Sequence, residues 1–137
     1  MDSALLIMLA AVLFVAILLL VIIATTRKTP AGVSVEEFRA KWLQIENKLG
    51  DDEPSCHLAI INADKLLDQA LKARGFKGET MGERLKSVSK QLRHRNAVWE
   101  AHKLRNRIVH EEVRLTRSEA RRALAAFKTA LRDVGAI

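Results

Sequence analysis

Residues Asn96 to Glu112 read NAVWEAHKLRNRIVHEE and bring together histidine, arginine and asparagine side chains. A histidine can take up or release a proton near neutral pH. An arginine offers fixed, bidentate donors to an oxyanion. An asparagine can orient either partner. Here Asn106 follows Arg105 directly, and His110 lies one helical turn beyond Asn106. At about 100° per residue, Ala97, Ala101, Leu104 and Ile108 form the expected core stripe. Trp99, His102, Asn106 and His110 fall on the opposite side with Lys103 beside them, and Arg105 lies between the two sides. An exposed indole among two histidines and an asparagine points to an interface or binding face made by Trp99, His102 and Lys103. The alternative is that Trp99 packs beneath a neighbouring loop or helix and the histidines bind nothing. His102 and His110 would make at most a two-histidine metal site, so no metal is expected.

The run Leu104 to Glu111 resembles the signature of the HEPN family of small helical domains. In that signature an Arg is followed by a polar residue and then by a His. Arg105, Asn106 and His110 match it one for one. The stretch Ala63-Asp64-Lys65-Leu66-Leu67-Asp68 through Gly75, then Gly78-Glu79-Thr80, also has the look of the second helix of such domains. A second Arg-Asn-to-His spacing runs from Arg95-Asn96 to His102. The downstream set is preferred, because Asn96 suits a helix N-cap and Arg105 to His110 lies within one helix.

The resemblance implies a helical bundle with its motif on a late helix. Many such domains are metal-independent endoribonucleases that need no cofactor, and others only bind nucleic acid or nucleotides, or act as scaffolds. In the nuclease version, two motif helices meet across a dimer and share a site, with Arg105, Asn106 and His110 as the catalytic set. Arg105 and His110 lie about 140° apart around an ideal helix, so they do not aim at one small site within one straight helix. A twofold axis bringing Arg105 of one chain near His110 of the other resolves this and predicts a homodimer. The competing function is a non-catalytic adaptor that holds a protein partner or RNA at a membrane surface.

The elements that must position these residues are helices. In 137 residues there are only six glycines and two prolines, tyrosine is absent, and Ala, Leu, Arg, Lys and Glu dominate. Residues 34–137 carry five helical segments, read from caps and periodicity. The first follows a capping box at Ser34 and Glu37 and carries Phe38, Trp42, Ile45 and Leu49 to a stop at Gly50. Asp51 to Pro54 reads as a polar linker. A second helix runs from about Ser55 to Arg74, with Leu58, Ile61, Leu66, Leu67, Ala70 and Leu71 as its apolar positions and Gly75 as its stop. A box at Thr80 and Glu83 opens a short third helix through Leu85, Val88 and Leu92. The motif helix is fourth. The fifth follows a box at Thr116 and Glu119, with Ala120, Leu124, Phe127 and Leu131 on one face. No segment alternates with period two, so the class is all-α, an antiparallel bundle of four or five helices.

Residues Ala4 to Ala24 form an unbroken apolar run of 21 residues, long enough to cross a bilayer. A cleavable signal peptide would need a basic start and a shorter apolar stretch. This chain starts Met-Asp-Ser, so the reading is an uncleaved anchor over residues 1–26. All 23 basic side chains, and all but one of the 16 acidic ones, lie from Arg27 onward. Arg27 and Lys28 directly after the span predict a single-pass protein of the cell membrane, with its N-terminus outside and its bundle in the cytoplasm. Residues 27–33 read as a short tether. Two basic clusters, Arg93-His94-Arg95 and Arg114, Arg117, Arg121 and Arg122, suit RNA phosphates or anionic lipid equally. The single cysteine, Cys56, excludes an internal disulfide and a thiolate zinc cluster.

Overall fold

The computed structural model describes residues 2–26, 32 and 34–137. The tether expected over residues 27–33, with Arg27 and Lys28, lies outside them except for Gly32. The chain divides into two units, Met1–Ala31 and Gly32–Ile137. The first contains one helix, α1 (Ser3–Thr26). Its stretch Ser3–Ala24 is long and apolar enough to cross a membrane, and none of that stretch is buried.

The second unit is a bundle of α2 (Val35–Lys48), α3 (Glu53–Ala73), α4 (Met81–Val88), α5 (Arg95–His110) and α6 (Arg117–Asp133). A single 3₁₀ turn, Ser89–Gln91, follows α4, and no strand occurs among the described residues. The third helix of the bundle therefore stops short of Leu92, which nonetheless packs in the core.

Local chemistry accounts for the helix ends. The Ser34 side chain accepts from the Glu37 amide, and the Thr80 hydroxyl accepts from the Glu83 amide at 3.2 Å. Only Thr116 and Glu119 form a reciprocal box: the Glu119 amide donates to the Thr116 hydroxyl, and the Thr116 amide donates to the Glu119 carboxylate at 2.8 Å. Glu83 instead reaches back to the Glu79 amide, and Glu37 pairs with Lys41. The Asp51–Pro54 segment is not all linker. Asp52 accepts from the Ser55 amide at 3.0 Å, so α3 begins at Glu53 with Pro54 in its first turn, where a missing N–H costs nothing. Gly75 (φ 81°) and Gly135 (φ 71°) stop α3 and α6 in a left-handed conformation that side chains disfavour.

α3 is the hub, packing against α2, α4, α5 and α6. Its fully buried Ile60, Leu67 and Leu71 meet Leu85 and Val88 of α4, Val98 of α5, and Phe127 and Leu131 of α6 in one core. The buried Cys56 belongs to it, and burial pushes its thiol pKa up.

Arg84, only 6% exposed, ties α4 to α3. Its Nε donates to Asp68 Oδ1 at 2.6 Å and its Nη1 to the Gly78 carbonyl, while Lys72 Nζ lies 2.9 Å from Asp68 Oδ2. Burial opposes the Asp68 charge, but hydrogen bonds and attraction from Arg84 and Lys72 outweigh it and hold the pKa below the usual aspartate value. A lowered folded pKa gives stability that is present above the unfolded value of about 3.9 and lost as pH falls through the folded one. The stability difference between wild type and Asp68→Asn should accordingly shrink below about pH 4. Urea unfolding followed by tryptophan fluorescence measures it, and a difference that stays constant down to about pH 2 would contradict this role.

Candidate functional site

α5 begins at Arg95, one residue before the expected cap. Its cap position is His94, which makes no side-chain capping bond, so Asn96 is not the N-cap. The buried face of the helix consists of Val98, Ala101 and His102, with Leu104, Arg105 and Ile108 partly covered. Ala97 is exposed, contrary to the expected core stripe. The buried stripe is thus rotated toward the face expected to be polar.

Asp64 of α3 is the cause. It is 3% exposed, and its Oδ1 lies 2.7 Å from Nδ1 of His102, itself only 7% exposed. A carboxylate oxygen only accepts, so the ring takes the Nδ1–H tautomer and donates to Asp64. His102 Nε2 then accepts from Asn106 Nδ2 at 3.3 Å, and Asn106 Oδ1 accepts from Arg105 Nη1 at 3.0 Å. Arg105 Nε lies 3.7 Å from Asp64 Oδ2, within ion-pair reach, and is buried without a hydrogen-bond partner. Four side chains from two helices therefore form a closed loop in which each donor and acceptor assignment follows from the last. Because His102 has a carboxylate waiting for it, it can be buried without the penalty of an unpaired polar group.

The loop fixes the Arg105 guanidinium on one side through Asn106 and on the other through Asp64. Its Nη2 makes no hydrogen bond among the described residues. One hydrogen bond from Nη1 and the nearby Asp64 charge thus set the orientation of the guanidinium.

Comparison with family models, with curated proteins and with solved structures gives no match to this chain. The site's meaning therefore rests on its geometry. Arg105 and Asn106 are brought together, but His110 is exposed near the end of α5 and takes no part in the loop. Within one chain the three motif residues do not converge.

The other expected contact residues separate as well. Trp99 is half-buried and not an exposed indole: it packs on the core, meets His102 edge-to-face with ring centroids 5.9 Å apart, and lies over Gly82 of α4. Packing on the core and beside α4 explains its place on a face that is polar by sequence. His102 is likewise internal, and Lys103 is exposed and paired with Glu100 at 2.8 Å. Among the described residues, no three His, Cys, Asp or Glu side chains group as a metal site.

Two residues have no role that the sequence assigns. Asp64 stands inside the stretch that reads as family-like, but nothing local marks it as a partner for a histidine 38 positions away. His57 Nε2 donates to the Val113 carbonyl at 2.8 Å and anchors the chain after α5 to α3. These two ties show α3 and α5 running antiparallel. Of the basic clusters, Arg93 is committed to Asp133 and Arg117 to Asp51, while Arg114, Arg121 and Arg122 make no ion pair among the described residues.

Proposed function

We propose that this chain is a membrane-anchored, HEPN-like domain that acts as a metal-independent endoribonuclease in a homodimer, with α1 as its anchor and the bundle on the cytoplasmic side. The observation that carries the reading is the α3-supported loop that presents Arg105 and Asn106 on the helix that also bears the exposed His110. Arg105 would neutralise charge on the scissile phosphate, with Asn106 holding its guanidinium in register. His110 would take the proton from the ribose 2′-hydroxyl, whose oxygen attacks the adjacent phosphorus. The P–O5′ bond breaks, the leaving 5′-oxygen takes up a proton from water, and the upstream fragment ends in a 2′,3′-cyclic phosphate.

The separation of His110 from Arg105 in one chain favours a site completed by a second copy. A surface for that copy is available. Val109 (49% exposed) stands on α5 beside His110, whereas Leu58 (53% exposed) lines the groove between α2 and α3. Apart from Leu43 of α2, they are the only exposed large apolar side chains among the described residues of the bundle. A twofold contact through the Val109 face of α5 covers that side chain and brings the two motif helices together.

The full chain, purified in detergent and incubated with single-stranded RNA in excess chelator, should yield fragments with cyclic phosphate ends. His110→Ala should slow their formation by roughly 10²–10⁴-fold. Cleavage that persists at the wild-type rate in His110→Ala would exclude this histidine. No cleavage by any form of the chain would leave the same face as a docking surface for a protein partner or RNA, the adaptor reading.

A further inference from the structure

A groove of about 290 Å³ runs between α2 and α3, on the side of α3 next to the Asp64 loop. Lys65 follows Asp64 in the chain and lies about 100° further round the helix, so α3 carries the loop on one flank and the groove on the next. The lining includes Lys41, Lys48 and Lys65 and the carboxamides of Gln44, Asn62 and Gln69, and contains no Asp or Glu. Lys41 is paired with Glu37, but Lys48 and Lys65 make no ion pair among the described residues. The three carboxamides make no hydrogen bond there either. Two uncommitted ammonium groups and three uncommitted amides thus face one groove without a carboxylate to answer them.

We infer that this groove is a binding track for single-stranded RNA, in which Lys48 and Lys65 contact phosphates and the carboxamides meet base edges. Ammonium groups are point-charge phosphate binders, whereas Asn and Gln offer the paired donor and acceptor that unstacked bases present. On α3, Lys65 stands between Asn62 and Gln69, so charge and carboxamide alternate along the groove as phosphate and base alternate along a nucleotide chain. The inference extends the nuclease reading, since the track would feed substrate toward Arg105, but RNA binding there does not require that the chain cut.

The test uses the full chain in detergent carrying His110→Ala, so that RNA stays intact, and a fluorescein-labelled 12-nucleotide single strand. Adding Lys48→Gln and Lys65→Gln should weaken binding about tenfold at moderate salt. The slope of log affinity against log salt should fall by about 1.4, at roughly 0.7 for each single-strand phosphate that the variant no longer neutralises. Adding Asn62→Ala should weaken binding further without changing that slope. Unchanged affinity and slope in the lysine variant would overturn the groove assignment whether or not the wild-type chain cleaves RNA. Competition by poly-glutamate that matches RNA at equal charge would overturn RNA as the occupant. Lysine-dependent binding in a chain that never cleaves would uphold the groove and dismiss the nuclease reading, so the two fail separately.

Discussion

Replacing Asp64 with alanine is expected to destabilise the bundle by about 3 kcal/mol, toward the low end of the cost of removing one partner from a buried ion pair. The Asp64 carboxylate serves two groups: it accepts from His102 Nδ1 at 2.7 Å and lies 3.7 Å from Arg105 Nε. Without it, a buried imidazole N–H has no acceptor and the guanidinium loses its nearby counter-charge. Arg105 is partly exposed and recovers some hydration, which keeps the cost from the upper end of the range. Asp64→Asn retains an acceptor for His102 and should cost only about 1 kcal/mol. Urea unfolding of the full chain in detergent reads this cleanly, because both tryptophans, Trp42 and Trp99, lie in the bundle and none lies in α1. An Asp64→Ala midpoint within about 0.5 kcal/mol of wild type would show that the loop carries no structural weight.

The helical class and most helix starts are legible in the sequence because they depend on near neighbours. Ser34, Thr80 and Thr116 each cap a helix, since a hydroxyl three residues ahead of an amide is a local arrangement. Asp52 is harder, because its capping role hides in an acidic run that also reads as a linker. The register of α5 escapes the sequence for a different reason. A helical wheel places histidine outside, and only a carboxylate brought from α3 reverses that preference for His102. Trp99 is ambiguous because its half-buried place depends on the core and on α4 packing beside it, which nothing local to α5 reveals. Arg105 and Asn106 are legible as a pair by adjacency. Their support by Asp64 and His102 is not, since it joins residues that only the tertiary fold brings together.

Arg105→Ala is expected to reduce RNA cleavage by roughly 10²–10³-fold, the usual effect of removing a preorganised donor to a developing negative charge. Stability should change less than in Asp64→Ala, because His102 keeps its carboxylate and Asn106 loses only one partly exposed neighbour. An Arg105→Ala chain that folds well yet fails to cleave would separate the chemical role from the structural one. His110→Ala should leave folding intact, since His110 is exposed and outside the loop.

The most direct test of a shared site mixes these two single variants. Equal amounts of Arg105→Ala and His110→Ala chains, exchanged in detergent, should form heterodimers for about half of all dimers. Each heterodimer would hold one site with Arg105 from one chain and His110 from the other, and one site lacking both. Cleavage should therefore recover from near zero to about a quarter of the wild-type rate. If heterodimers are confirmed by differential tagging and cleavage stays at the level of the separate variants, Arg105 and His110 do not act across a twofold axis and the shared-site account is wrong.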